Sequence, residues 1–450
     1  MQSATNKSRP QEGKGKGVIN KNEVTDTKSV LLSAKQMLLI PSVFIFALFL
    51  VSLLPRIQSN DTLSISFWGA CTALLLWSVF LFRRVVTGGK RKGFVLSKPK
   101  PQHYIQAMVH MSVYIYWGWA WPPVQEYALL LLAQLFFAYA FDMMLAWSRR
   151  DTYLLGFGPF PIIFSTNLFM WFRDDWFYLQ FIMIAVGFMG KEFVRWNRDG
   201  RMTHIFNPSA FTLGLFSLVL IITGTTDITW GAQIASTLSL APGIYTYLFI
   251  GGLVVMYFFS ITLVAASAAI VLFALSGLYF SITGVPYFLD SEIPTAVFLG
   301  LHLLVTDPST SPRTPTGKLF FGVLYGIGVF ILYTILDMFG TPTFYDKLLC
   351  VPLLNLSVQW IDRMVLPLRN NKTLERLGLG VTPSRRANLG HMAVWIVFFA
   401  SMTLMGKTDS RHVGDSLPFW AQACEEGRVH ACDRMLLLES TYCTDNSGWA

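Results

Sequence analysis

The sequence predicts an all-α polytopic membrane protein, and three observations carry that prediction. Of the 450 residues, 53% are hydrophobic and only 14% are charged, whereas a soluble domain carries roughly 25% charged residues. The mean hydropathy is +0.48. Apolar segments of about 17–22 residues recur along the chain, the length that crosses a bilayer as a helix. The formal charge of +9 does not point to nucleic acid. The basic residues sit between the apolar segments, where positive-inside loops sit.

Residues 1–36 are polar, lysine-rich and aperiodic, and are expected to be a disordered cytoplasmic N-terminus. The first apolar run begins too late for a signal peptide. Two spans, 37–54 and 66–82, form an N-terminal pair (37–83). The loop after them carries Arg83, Arg84, Lys90, Arg91, Lys92, Lys98 and Lys100 with no acid, and reads as a solvated cytoplasmic loop. Spans follow at 104–121, 127–147, 153–172 and 176–194. Their loops alternate in charge: Arg149 and Arg150 on one side, net acidic 173–175 on the other, then Lys191, Arg195, Arg198 and Arg201. That alternation fits in–out threading from a cytoplasmic N-terminus. Further apolar segments lie at 209–223, 245–259, 263–280, 293–305, 319–336 and 348–361. A basic linker, 366–390, should be cytoplasmic. A last span, 391–406, then delivers the tail, 407–450, to the far side.

The stretch 302–318, HLLVTDPSTSPRTPTGK, sets Asp307 and three prolines directly against an apolar segment. No helix runs through such a sequence. Irregular backbone and an ionisable group at membrane depth persist only inside protein or along a cavity. The stretch is therefore a candidate site or pore wall, with Asp307 and Thr314 in it. Asp142 lies deep in an apolar run. It is either an ion or proton carrier or a buried group bonded to a neighbouring helix. GFGPFP at 156–161 should kink its span or form a re-entrant turn. Asn207 and Pro208 suit a helix N-cap and first turn. Such a terminus is either an anion site or an ordinary cap. Cys71 and Cys350 lie in apolar segments as packing residues, while Cys424, Cys432 and Cys443 lie in the polar tail. There is no C-x-x-C, H-E-x-x-H, Walker loop or G-x-S-x-G, so no catalytic acid, base or nucleophile is assigned.

Three stretches, FNPSAF (206–211), TDPSTSPRTPTGKLFFG (306–322) and VPLLNLSVQWIDR (351–363), together resemble the NqrB/RnfD family. Its members are membrane components of the sodium-translocating NADH:quinone oxidoreductase and of the Rnf electron-transport complex. The resemblance covers about residues 98–365. It implies a ten-helix core of two inverted five-helix repeats, similar to the urea-transporter fold, with two N-terminal spans and one C-terminal span added. It also implies flavin mononucleotide, attached in the family through its phosphate to a threonine of a Ser-Gly-Ala-Thr-like motif. The matching place here reads Trp230-Gly231-Ala232-Gln233. Gln233 stands where the threonine should be, and an amide forms no phosphoester, so any flavin is expected to be non-covalent; riboflavin or a quinone are further candidates. The residues carried over for cofactor binding are Asn207, Pro208, Thr229, Gly231, Gln233, Asp307 and Thr314, with Asp142 and Asp307 on an ion pathway.

The tail segment AQACEEGRVHACDRM is similar to the cysteine-rich Sel1-like repeats, helix pairs that are disulfide-linked in exported proteins. The similarity implies a Cys424–Cys432 disulfide and a surface for an extracytoplasmic protein partner. A partner for Cys443 would lie beyond Ala450, so the natural chain is expected to continue. Three functions follow from these readings. One is a flavin- or quinone-associated subunit of an electron-transport complex, coupled to sodium or proton transport. The second is a small-solute channel or transporter on the same scaffold. The third is an assembly platform whose Sel1-like tail recruits an extracytoplasmic partner; other membrane electron-transport subunits are expected partners under the first.

Overall fold

The computed structural model describes residues 27–87, 92–97, 101–150, 152–198, 200–289, 291–380, 384–408, 412–436 and 438–439. Of the disordered N-terminus expected over 1–36, residues 1–26 lie outside them, as do Lys90, Arg91, Lys98, Lys100 and Cys443; residues 27–36 are instead a strand, Thr27–Leu32, and the start of a helix, because they pair with a later strand and carry a capping box.

The chain is an all-α polytopic protein. Helix α1 (Ala34–Ser52) opens on a capping box between Ser33 and Gln36, and α2 (Asp61–Thr87) returns beside it. Then come α3 (Pro101–Ala120), α4 (Pro123–Arg149), α5 (Pro159–Asn167), α6 (Tyr178–Phe193) and α7 (Pro208–Thr223). A short α8 (Gly231–Thr237) leads to α9 (Ile244–Phe259), α10 (Thr262–Thr283), α11 (Thr295–Leu303), α12 (Pro315–Met338) and α13 (Asp346–Val365). Helix α14 (Arg385–Leu404) and a tail helix, α15 (Leu417–Glu425), follow. Among the described residues, seven helices are long and apolar enough to cross a membrane. They are α1, α2, α4, α10, α12, α13 and α14. The segment Gly231–Leu240 and α9 form an eighth if counted as one span bent by 101°. The outward faces of the bundle carry large apolar side chains, with Leu76 68%, Ile115 69% and Ile222 74% exposed, as lipid-facing surfaces do and soluble ones do not.

Two expected spans are something else. Segments 153–172 and 293–305 each contain a helix of only nine residues, α5 and α11. At 1.5 Å per residue these rise about 14 Å, half a bilayer core. GFGPFP explains the first: Thr152–Leu155 is a strand, and α5 begins only at Pro159. In both segments the chain continues past the half-helix as irregular backbone. The polar loop expected at 223–237 also contains more order than its composition suggests. Gly224, with φ of 66°, terminates α7, and α8 begins at Gly231.

The order of elements repeats. A long helix, a two-residue turn, a second helix, a nine-residue half-helix and two more helices occur first as α3–α7 and again as α9–α13. The packing repeats too: α4 on α6 as α10 on α12, and α6 on α7 as α12 on α13. Small residues allow the closest of these approaches. A Cβ on Gly322 would stand 2.3 Å from the Val264 carbonyl oxygen, and one on Gly326 2.9 Å from that of Ala268. This G-x-x-x-G seam lets α12 lie backbone to backbone on α10. The second two-residue turn is held by Lys318, which is 8% exposed and whose Nζ donates to the Ser260 carbonyl at 2.8 Å.

Two small sheets, not expected from the sequence, mark one end of the bundle. Strand β1 (Thr27–Leu32) pairs antiparallel with β2 (Lys92–Ser97), and β2 pairs parallel with β3 (Thr152–Leu155). They tie together the entries to α1, α3 and α5. A hairpin, β4 (Arg195–Arg198) and β5 (Arg201–His204), joins α6 to α7. Glu192 binds Arg150 and lies 4.0 Å from Arg149, so the α4 and α6 termini meet at this same end. The opposite end carries Arg56–Asp174 at 2.7 Å and the docked tail.

Candidate functional site

The two half-helices leave backbone groups that α-helical bonding would have satisfied. Buried side-chain amides take their place. Beyond α5, Gln180 accepts from the Phe172 N–H at 3.0 Å through Oε1 and donates to Gln134 Oε1 at 3.0 Å. Asn167, the last residue of α5, donates to the same Gln134 oxygen at 2.7 Å. Gln134 donates to the Tyr127 hydroxyl at 3.0 Å. Gln134, Asn167 and Gln180 are all fully buried. An interrupted helix in lipid needs substitutes of this kind.

Beyond α11 the same problem is solved by two asparagines. Asn207 donates through Nδ2 to the Leu304 carbonyl at 3.0 Å, while its Oδ1 caps α7 by accepting from Ser209 N–H at 3.0 Å. Asn355 accepts from the Asn207 N–H and donates to the Thr310 carbonyl, each at 3.1 Å. Arg198, 6% exposed, closes the far side. Its Nη2 donates to the Ser311 carbonyl at 3.0 Å and to Asp362 at 2.7 Å. Asp362 also accepts from the Arg313 N–H at 3.2 Å. The three sequence stretches 206–211, 306–322 and 351–363 thus converge on one clasp.

Within this clasp Asp307 is half-buried. Its carboxylate accepts from Ser309 N–H at 3.0 Å and from the Ser309 and Thr310 hydroxyls at 2.8 and 3.0 Å. It therefore holds the turn after α11. His204 Nε2 lies 3.0 Å from the Ser309 hydroxyl. Burial pulls the His204 imidazole below its usual range. Asp307 pulls the other way, and Lys191 and Arg195 push it down again. Pro208 is the first residue of α7, and Thr314 caps α12 by accepting from Gly317 N–H at 3.0 Å.

Thr229, Gly231 and Gln233 are elsewhere. They lie beyond the C-terminus of α7, which at 1.5 Å per residue is about 24 Å from Asn207. The chain leaving the α5 break pins this loop: Phe172 bridges Thr229, Arg173 N–H donates to the Ile228 carbonyl at 3.0 Å, and Trp230 N–H donates to the Trp171 carbonyl at 2.8 Å. The Arg173 guanidinium covers the Trp230 ring at 4.7 Å. The Thr229 hydroxyl donates inward, to the Thr226 carbonyl at 3.0 Å. A Cβ on Gly231 would stand 2.2 Å from Phe344 Cζ, so only glycine fits there.

Gln233 lines a cavity of about 650 Å³, together with Ser236, Tyr333, Phe344, Asp346 and Lys347. Its amide oxygen is buried without a partner among the described residues. Asp346 and Lys347 are 1% and 2% exposed, and Lys347 Nζ binds Asp346 Oδ1 at 2.9 Å. Two charges taken out of water persist only as such a pair. The cavity is thus lined by the Gln233 side chain, an aromatic ring and a neutralised ion pair. Sequence reasoning does not reach Asp346 and Lys347 as site residues, because an acid and a base just before an apolar run read as loop. Asp142 belongs to neither cluster. It is half-buried on α4, one turn from Tyr139, whose hydroxyl donates to the Gly156 carbonyl at 3.0 Å.

In the tail, Cys424 and Cys432 form a disulfide. Cys71 and Cys350 are free and buried. No family model, no curated protein and no solved structure matches the chain.

Proposed function

We propose that this chain is the integral membrane subunit of an electron-transport complex, associated with a flavin or a quinone and coupled to sodium or proton transport. The observation that carries the reading is the cavity beside α8. The loop that the resemblance marks for flavin ends in Gln233, and Gln233 lines about 650 Å³ of space while its amide oxygen is buried without a partner among the described residues. Ligand sites of this kind measure about 300–1,000 Å³ and combine an apolar lining with a few polar groups. The residues fit a flavin held without a covalent bond. The Gln233 side chain stands where the polar edge of an isoalloxazine would sit, Phe344 and Tyr333 offer ring surface, and the Asp346–Lys347 pair leaves that wall without net charge. A flavin in this place would supply one- and two-electron transfer; the chain's part is to bind it, orient it and keep water out.

The repeated order of elements supports two inverted five-helix repeats of urea-transporter type. If each half-helix crosses together with the irregular backbone that follows it, each unit has five crossings, an odd number, and the second unit enters from the opposite face. The mutual contacts of α3 with α9 and of α7 with α13 are those a two-fold relation between the units requires. The clustering of Arg149, Arg150, Arg195 and Arg198 at the strand-bearing end supports placing that end in the cytoplasm of a bacterium. The tail then faces outward, where it can meet a protein partner.

Gln233 also favours a second reading, a small-solute channel or transporter that has lost its flavin, because it removes the phosphoester. One experiment separates the two. The purified protein's absorbance is recorded in the flavin bands before and after acid precipitation. The first reading predicts flavin released to the supernatant. Absence of both flavin and extractable quinone from protein purified under gentle conditions and incubated with riboflavin or flavin mononucleotide overturns it in favour of the second.

A further inference from the structure

We infer that a second cavity, between the C-terminal segment and the ends of α10 and α12, binds an organic cation of the quaternary-ammonium class. This does not rest on the flavin reading. The cavity measures about 470 Å³, and Tyr279, Tyr287, Tyr333 and Trp420 line it. The Tyr279 and Tyr287 rings meet at 5.0 Å and 73°, and the Tyr287 and Tyr333 rings at 5.3 Å and 46°. Three tyrosine rings whose planes are tilted to one another thus line one space, with Tyr287 backed by the Phe330 ring stacked on it at 3.8 Å. That arrangement favours a compact soft cation.

The charges agree with the rings. Two carboxylates, Asp337 and Asp433, border the space. The guanidinium on the same wall, Arg434, is committed to Asp337 at 2.6 Å. Asp433 is 84% exposed, and the His430 imidazole lies 4.0 Å from it. Among the described residues lining the space, an anionic ligand would meet no uncommitted guanidinium and would face Asp433. A cation would meet a carboxylate at the mouth and aromatic faces within. Val285 and Leu289 add apolar surface suited to N-methyl groups. The tail wall is itself fixed. Val429 and His430 lie inside the loop closed by the Cys424–Cys432 disulfide, and Trp420 is anchored through Nε1 to the Gly414 carbonyl at 2.7 Å.

The test uses the purified full-length chain in detergent and radiolabelled choline, with 3,3-dimethylbutan-1-ol, choline's neutral isostere, as competitor. We expect saturable choline binding that the isostere displaces at least tenfold more weakly than unlabelled choline. Tyr279→Leu should weaken binding about tenfold, the scale of a desolvated cation–π contact. Asp433→Asn should weaken it severalfold, and its exposure means folding is unaffected. Absence of saturable binding, equal displacement by choline and the isostere, or parental binding in both variants would overturn the inference.

Discussion

Replacing Asn355 with leucine removes one side chain and leaves two backbone groups without partners. The side chain is 1% exposed, and leucine fills nearly the same volume, so no cavity opens. The Asn207 N–H and the Thr310 carbonyl each lose a 3.1 Å bond. An orphaned buried backbone group costs about 1–3 kcal/mol, so the pair costs about 2–6 kcal/mol. The turn beside them is half open at Asp307, so water can reach part of the site, and the lower part of that range, about 2–4 kcal/mol, is expected. Asn355→Asp keeps the acceptor for Asn207 but sets a buried carboxylate against the Thr310 carbonyl, and should destabilise more at neutral pH than at a pH low enough to protonate it. Unfolding by sodium dodecyl sulfate in mixed micelles, followed by tryptophan fluorescence, gives the free energies. Leu356→Ala, at a position 54% exposed, serves as the lipid-facing control and should change stability by less than about 1 kcal/mol. If Asn355→Leu unfolds within about 0.5 kcal/mol of the parent, the clasp does not hold the α11 break and the reasoning fails.

The remaining predictions concern the packing seam, the tail and its disulfide. Gly322→Val would drive a side chain into the Val264 carbonyl and the Ser267 hydroxyl, and should destabilise the bundle by about 2–3 kcal/mol in the same unfolding assay. Tail docking should depend on pH through Glu292. The His412 side chain at 3.9 Å and Lys407 at 2.6 Å hold the Glu292 carboxyl at about 2, outweighing its burial. Burial pulls His412 down, but Glu292 and the Leu289 carbonyl more than offset it, so its imidazole titrates above its usual 6.5. A depressed acid stabilises above its unfolded value, near 4.5, and a raised histidine stabilises below 6.5. Docking should therefore be firmest between these values and loosen as pH rises through the His412 value. Hydrogen exchange around Trp420 should quicken from about pH 6 to about pH 8.5 beyond the intrinsic rate, and Glu292→Gln should abolish that excess. Maleimide should label Cys424 and Cys432 in detergent only after reduction, while buried Cys71 and Cys350 stay unlabelled in the folded protein.

Much of the scaffold is legible in the sequence, because length and hydropathy report lipid contact directly. Segments 127–147 and 319–336 fall inside α4 and α12. The two-residue turn between α9 and α10 is also legible in the chain itself. Half-helices are not. The nine-residue α5 is followed by apolar irregular backbone, LFMWF, and so has the hydropathy of a full span; α11 is betrayed only by the polar, proline-rich stretch after Val305. The strands escape sequence reasoning because KGFVLS is short and set among basic residues, and its pairing partners lie far away in the chain. Of the site residues, Asn207, Asp307 and Thr314 are visible as cap and turn chemistry. Their convergence with Asn355 and Arg198 is not, since it depends on tertiary packing. Gln134, Asn167 and Gln180 do not stand out by motif, although lone amides in apolar runs carry a signal of their own: each needs a partner in lipid.

The most direct test of the central claim is a fluorescence titration of flavin into the purified protein and into Gln233→Leu. If the space beside α8 holds an isoalloxazine through the Gln233 amide, flavin emission will be quenched saturably in the parent. In the variant the apparent affinity should fall about tenfold, the scale of one buried hydrogen bond. Non-saturable quenching in the parent, or identical curves for the two proteins, would contradict the claim.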